Sequence, residues 1–212
     1  MSRGFKFDRQ TAPGLVLIAL NFVLFLISVF RPGFDEAFGI SVRDVLVQHD
    51  YFRLVKYMFM HAGWEHLIAN MLLLFFISSM NLSLQSVFRY VIVYFTAGIL
   101  GGYLELVLRS HLFPGSDVFA VGASGAIMGL VGSTLVLFLV MRRSFAKEVR
   151  KEMIIRLLLL AAVNLIPTSE SVDYLGHAAG FAVGAAVTFL LSIGLLFRPA
   201  ETRGAGPREE LE

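Results

Sequence analysis

Long apolar segments recur along this chain, with only short polar stretches between them. A helix needs about 20 mostly apolar residues to cross a bilayer. Six segments reach or approach that length: 12–30, 65–83, 89–108, 119–141, 153–168 and 174–197. The fifth is the shortest and carries Arg156 near its start, whose long side chain can extend to the headgroups. The sequence therefore predicts an all-α membrane protein, a six-transmembrane-helix bundle over residues 12–197.

The composition supports this fold class. Of the 212 residues, 57% are hydrophobic and only 16% are charged, whereas ordinary soluble domains carry about 25% charged residues. The chain has no cysteine, which excludes disulfides and thiolate metal sites. We expect residues 1–11 to form a short polar N-terminus and residues 198–212 a disordered polar tail. We expect no metal, cofactor or nucleic acid as a partner.

The distribution of Lys and Arg predicts the orientation in the membrane. Six crossings place both termini on one side, and cytoplasmic segments are enriched in Lys and Arg. The side with the termini carries thirteen of the 18 cations: Arg3, Lys6, Arg9, Arg89, Arg142, Arg143, Lys147, Arg150, Lys151, Arg156, Arg198, Arg203 and Arg208. The opposite side carries five: Arg31, Arg43, Arg53, Lys56 and Arg109. Both termini should be cytoplasmic. The short termini and positive cytoplasmic loops fit a prokaryotic plasma membrane, with an organellar membrane as the alternative.

Polar residues at the starts of three spans should then share one layer near the extracytoplasmic surface. They are His61, His66 and Asn70 at the second span, Ser124 at the fourth and His177 at the sixth. Polar and ionisable side chains at membrane depth are costly and by default mark a functional site. This layer is the candidate site.

Glycine spacing predicts that Ser124 and His177 meet. Helices in lipid approach closely where small residues recur four apart. Such residues follow Ser124 in the fourth span and His177 in the sixth: Gly125, Gly129 and Gly132, and Gly180 and Gly184. If these faces pack together, the serine and histidine lie at the outer end of the contact. A neutral imidazole within reach of a hydroxyl can remove its proton and make it a nucleophile.

His66 and Asn70 are four residues apart and share one helix face, from which both could donate hydrogen bonds to a developing oxyanion.

Other interpretations of these motifs remain open. The Gly-Ala-Ser-Gly tetrapeptide could be a packing motif, and a single histidine at a helix end could be interfacial. A metal site would need more ligands than this cluster offers. A transporter would show internal repeats and polar residues at the midplane, and neither is found.

The remaining polar residues of the spans have ordinary explanations. Asn21, Glu105 and Asn164 are expected to make hydrogen bonds between helices or to lie near the membrane interface. Asp173 precedes His177 by one turn, and capping of the sixth helix is a simpler role for it than orienting His177.

These motifs together resemble the rhomboid family of intramembrane serine proteases. The resemblance rests on Gly122-Ala123-Ser124-Gly125 followed by Gly129, on His177 with Gly180 and Gly184, and on His61, His66 and Asn70. Arg53, eight residues before His61, also resembles the arginine of the family's first loop, here 31–60. The likeness covers residues 12–197.

The resemblance implies a Ser–His dyad that cleaves transmembrane segments of membrane proteins. It makes Ser124 the nucleophile and His177 the general base. His66, Asn70 and the Ser124 backbone N–H would form the oxyanion hole, supported by His61, Gly122 and Gly125. The fifth helix and the loop after it would form the lateral gate.

One residue departs from the pattern. Many relatives have an aromatic residue four positions after the serine, stacked on the histidine, and this chain has Met128. A thioether constrains an imidazole ring less. The rival expectation within the family is a non-catalytic membrane chaperone that binds transmembrane segments, although such relatives usually lack the serine or the histidine.

Overall fold

The computed structural model describes residues 11–31, 33, 37–116, 118–163 and 173–196. Its helices are α1 (Ala12–Val29), α2 (Val42–Val47, a π-helical turn), α3 (Arg53–Lys56, continued by the 3-10 turn Tyr57–Phe59), α4 (Trp64–Leu82), α5 (Val87–Leu112), α6 (Ser124–Met141, followed by the 3-10 turn Arg142–Ser144), α7 (Lys147–Val163) and α8 (Tyr174–Leu196). The described residues also include an isolated antiparallel bridge between Ile40 and Ala120. The predicted all-helical fold is confirmed.

Five of these helices are long and apolar enough to cross a membrane: α1, α4, α5, α6 and α8. The fifth predicted span, 153–168, falls on α7, which begins earlier, at Lys147. The described part of α7 has only 17 residues and its first turns are charged, so it is not among the five. The rest of that span, Asn164 and the following loop lie outside the described residues, as do the N-terminus up to residue 10 and the tail from residue 197. The count of six spans stays a prediction.

The predicted start of the fourth span at residue 119 is wrong, because α6 begins only at Ser124. Residues 119–123 form an extended segment and a turn. Ala120 exchanges two backbone hydrogen bonds with Ile40, each 2.9 Å long. Apolar side chains continue through this segment, so hydropathy could not separate it from the helix that follows.

Helix α6 lies at the centre of the bundle and packs most extensively against α8, then α5 and α4. Its contact with α8 is made by glycine. A Cβ on Gly180 would overlap the carbonyl of Gly125, and one on Gly184 would overlap the carbonyl of Gly129. The predicted packing of the two glycine faces is confirmed, and it fixes the register of α6 against α8.

Apolar side chains cover the outside of the bundle. Large exposed examples occur on most of the long helices and include Val16, Leu72, Phe76, Leu100, Leu158 and Leu190. A surface with this much exposed hydrocarbon suits contact with lipid rather than water. The polar groups of the candidate site lie instead at the helix ends.

Arg53 fixes the part of the first loop that packs against the segment before α6. Its Nη1 donates to the carbonyl oxygen of Gly39 at 2.9 Å, and its Nε forms an ion pair with Asp50 at 3.2 Å. Gly39 lies directly under the ring of Phe119, with no room for a side chain between them. Arg53 therefore holds the strand-like segment that pairs with Ala120, four residues before Ser124.

Candidate active site

Ser124 is the first residue of α6, and the turn before it is held from two sides. Besides the pairing at Ala120, the backbone N–H of Gly122 donates to the carbonyl oxygen of Tyr57 at 2.9 Å. Gly122 has φ +126°, which an L side chain rarely adopts. The first N–H groups of a helix have no acceptor within it. The Ser124 backbone N–H therefore stands free of the helix ladder beside its own hydroxyl.

His177 lies in the first turn of α8, at the same level as Ser124. Gly176 and Gly180, before and after it, both approach Gly125: a Cβ on Gly125 would lie 3.8 Å from the Gly176 carbonyl oxygen. Both Ser124 and His177 are half-buried. Among the described residues, no hydrogen bond joins the Ser124 hydroxyl to the His177 ring. Such contacts are often long before a substrate binds.

His66 and Asn70 lie on α4 against the turn that precedes Ser124. A Cβ on Gly122 would lie 2.9 Å from Nε2 and Cε1 of His66 and 3.4 Å from Nδ2 of Asn70. The Asn70 amide nitrogen is buried and has no hydrogen-bond partner within the described part of the chain. A buried donor without an acceptor costs about 1–3 kcal/mol. His66 and His177 are also close enough for their charges to interact.

His61 is fully buried behind His66. The two rings meet edge to face, with centroids 5.1 Å apart, and neither nitrogen of His61 has a partner among the described residues. Burial, and secondarily the neighbouring His66, lowers the pKa of His61 to about 3. His61 is therefore neutral at any physiological pH. It supports the ring of His66 without carrying charge.

Met128 is half-buried at the edge of the core, one turn after Ser124. No cluster of three or more His, Cys, Asp or Glu side chains suited to a metal occurs in the described part of the chain. The arrangement thus offers a hydroxyl, imidazole rings and free N–H donors around one point. That combination suits acyl transfer.

A match to a family model decides the relationship: the Rhomboid domain matches residues 48–194, more than half of the chain. The chain belongs to the rhomboid family. Among its relatives, RHOMBOID-like protein 4 of Arabidopsis thaliana is 34% identical over 166 residues, 76% of this chain and 38% of that protein. Rhomboid protease AarA of Providencia stuartii is 27% identical over 214 residues, 90% of this chain and 75% of that protein.

Rhomboid protease GluP of Bacillus subtilis is 25% identical over 174 residues, 80% of this chain and 32% of that protein. This rhomboid chain spans less than half the length of the plant relatives and of GluP. The matched region nevertheless includes His61, His66, Asn70, Ser124 and His177. These are the residues that the sequence singled out.

Tyr57 contacts the candidate site and was missed by the sequence analysis. Its hydroxyl donates to the Gly98 carbonyl oxygen at 2.7 Å, and a Cβ on Gly125 would lie 3.6 Å from that hydroxyl. Burial, with nearby Glu105 and Asp173, raises the pKa of Tyr57 far above its usual value. Tyr57 therefore stays a neutral donor. It links the first loop to α5 and to both sides of the serine turn.

A buried ion network at the start of α8 was also not foreseen. Arg109 Nη2 lies 3.0 Å from a Glu105 carboxylate oxygen and 2.9 Å from Asp173 Oδ1. The same Asp173 oxygen accepts the Gly176 backbone N–H at 3.0 Å. The expected capping role of Asp173 is confirmed. The network adds an anchor on α5 to the helix end that carries His177.

Proposed function

We propose that this rhomboid chain is an intramembrane serine endopeptidase, with Ser124 as nucleophile and His177 as general base. The observation that carries the proposal is the glycine contact between α6 and α8. It brings Gly176 and Gly180 against Gly125, and so sets His177 in the layer of Ser124. The relatives whose names include a rhomboid protease support the same reaction class.

The reaction follows from the groups around the serine. Ser124 Oγ attacks the scissile carbonyl carbon while His177 accepts the hydroxyl proton. The oxyanion that forms is stabilised by the Ser124 backbone N–H, by Asn70 Nδ2–H and by His66. His177 then donates its proton to the leaving amine. A water molecule, with His177 as base, hydrolyses the acyl-enzyme and restores the serine.

The free amide of Asn70 supports the oxyanion assignment. A buried donor normally finds an acceptor on folding. Asn70 Nδ2 has none among the described residues, and it lies beside the turn where the oxyanion would form. The Asn70 amide N–H is thus available to donate to an oxygen atom of the substrate.

The proposed substrates are transmembrane segments of other membrane proteins. A helix hides its carbonyl groups in backbone hydrogen bonds, so a substrate must unwind locally before attack. Sites with helix-destabilising residues, and small residues before the scissile bond, are favoured. We further propose that both termini are cytoplasmic and that the site opens to the other side. The prokaryotic plasma membrane stays a prediction, because the relatives come from plants and bacteria.

Cleavage of a transmembrane substrate by purified protein in detergent tests the proposal. Ser124→Ala and His177→Ala should each lower the rate at least about 10³-fold, since the pair acts as a unit. Ser144→Ala and His111→Ala are matched controls on exposed residues away from the site and should cleave like wild type.

A fluorophosphonate that labels active serines gives a second readout. Wild type should be labelled and Ser124→Ala should not. Residual wild-type cleavage by Ser124→Ala contradicts the assignment. A wild type that binds the substrate but neither cleaves it nor takes the label is instead the non-catalytic chaperone.

A further inference from the structure

A cleft opens between the C-terminal end of α6 and the first turns of α7, far from the serine. Its volume is about 570 Å³. Ser124 begins α6 and the cleft lies at its other end, 18 residues later, which corresponds to about 27 Å along a helix. That distance is close to the thickness of a bilayer's hydrocarbon core. The cleft therefore lies at the headgroup level of the opposite leaflet.

Four cations line this cleft: Arg142, Lys147, Arg150 and Lys151. None of them forms an ion pair with a carboxylate of the described residues. Of the two acids on α7, Glu152 is paired with Arg156, and exposed Glu148 is in none of the ion pairs of the described residues. Four like charges around one cleft repel each other, so an anion with more than one acceptor oxygen would relieve that repulsion.

The other wall of the cleft is hydrocarbon: Phe138, Leu139, Ile154 and Ile155. Leu139 is 49% exposed, and Ile154 and Ile155 are each 45% exposed. The ring of Phe145 stacks on Phe138 at a centroid distance of 6.3 Å. A free phosphate ion would use the cations and leave this wall unused.

We propose that the cleft binds an anionic phospholipid of the bilayer, with its phosphate among the four cations and its acyl chains along the apolar wall. Basic pockets between transmembrane helices at the cytoplasmic surface suit such headgroups. The lipid would bridge α6 and α7, which otherwise pack sparsely against each other. This inference does not depend on the protease proposal.

The test measures lipid retention by the delipidated full chain in detergent, using native mass spectrometry with added phosphatidylglycerol or phosphatidylcholine. Wild type should retain one phosphatidylglycerol molecule in preference to phosphatidylcholine. The double variant R142Q/R150Q should bind it about thirtyfold more weakly, since each cation near a headgroup contributes about fivefold. R89Q/R143Q removes two cations from outside the cleft on the same face and should bind like wild type.

R142K/R150K keeps the charge and should retain the lipid, which separates lost binding from misfolding. Equal weakening in R89Q/R143Q would overturn the proposal, because it would show attraction to the whole surface. Equal retention of phosphatidylcholine would overturn it too. Glycerol phosphate that displaces the lipid at matched concentration would show that the cleft is a site for a soluble phosphate instead.

Discussion

Three histidines share the site, and their surroundings give them different properties. His61 is fully buried, His66 lies between it and the serine turn, and His177 is half-buried at the end of α8. Neither ring nitrogen of the buried His61 has a hydrogen-bond partner among the described residues, so its neutral form is strongly favoured. Because burial disfavours protonation of His61 only in the folded state, the free energy of unfolding depends on pH.

The buried His61 should make the folded protein less stable as the pH falls below about 6.5. Its pKa is about 3 in the folded protein and 6.5 when solvated, so between these values the unfolded state binds the proton and the folded state does not. The loss is at most about 1.4 kcal/mol per pH unit. Thermal unfolding in detergent from pH 7 to pH 4.5 measures it. His61→Gln should flatten the slope, and exposed His49→Gln should not. A His61→Gln slope equal to that of wild type would contradict this.

Gly122 offers a sharp test of the turn before the serine. Gly122→Ala forces a strained φ and drives a Cβ into the His66 ring, whereas Gly115→Ala has a similar strain at φ +86° with nothing within 4 Å. Both should lose about 1–3 kcal/mol of stability from strain. Only Gly122→Ala should lower the cleavage rate, by about 10²–10³-fold, because it displaces an oxyanion donor. Equal rates for the two variants would mean that His66 is not involved.

At the scale of helices, sequence predicted the elements that hydropathy and small residues define. The first span, 12–30, is observed as Ala12–Val29, and the glycine faces of α6 and α8 meet as expected. The start of α6 was misplaced because residues 119–123 are apolar without being helical. Their structure comes from a backbone pairing with Ile40, some 80 residues earlier, and a pairing over that distance leaves no local pattern.

Tyr57 and Arg109 were missed for the same reason, because contacts with residues distant in sequence leave no local pattern. Tyr57 lies in a loop without periodicity, and its importance comes from three distant contacts: Gly98, Gly122 and Gly125. Glu105 was expected to bond between helices or to lie near the interface, and it instead accepts a hydrogen bond from Arg109 on the same helix. Arg109 links Glu105 to Asp173 at the start of α8. The sequence had suggested no role for Arg109 beyond its positive charge.

The Glu105–Arg109–Asp173 network should hold the first turn of α8. Asp173→Ala removes a helix cap and one of the two carboxylates that pair with Arg109, so it should cost at least about 2 kcal/mol of stability. Asp173→Asn keeps the cap and loses the ion pair, so its effect should be intermediate. Thermal unfolding in detergent measures both.

The matched control for that network is Glu152→Ala. It breaks an exposed pair with Arg156 on α7 and should cost no more than about 0.5 kcal/mol. If Asp173→Ala were as mild as Glu152→Ala, the buried network would not be the anchor of α8.

The two ends of the helix bundle carry different polar groups. The candidate site gathers the ends of α4, α6 and α8 at one face, beside a first loop held by Arg53. The opposite face carries the cation cleft between α6 and α7. Cations of this density favour the cytoplasm, so we propose that the serine faces the other side.

Cysteine accessibility tests this orientation, because the chain has no cysteine of its own. Gln48→Cys lies in the exposed first loop and Ser144→Cys in the exposed turn after α6, at opposite faces of the bundle. A membrane-impermeant maleimide applied to intact cells should label the thiol at position 48 and leave the thiol at position 144 unlabelled. Permeabilised cells should show both labelled, which controls for reactivity. Labelling of position 144 alone in intact cells would invert the molecule and place Ser124 on the cytoplasmic side.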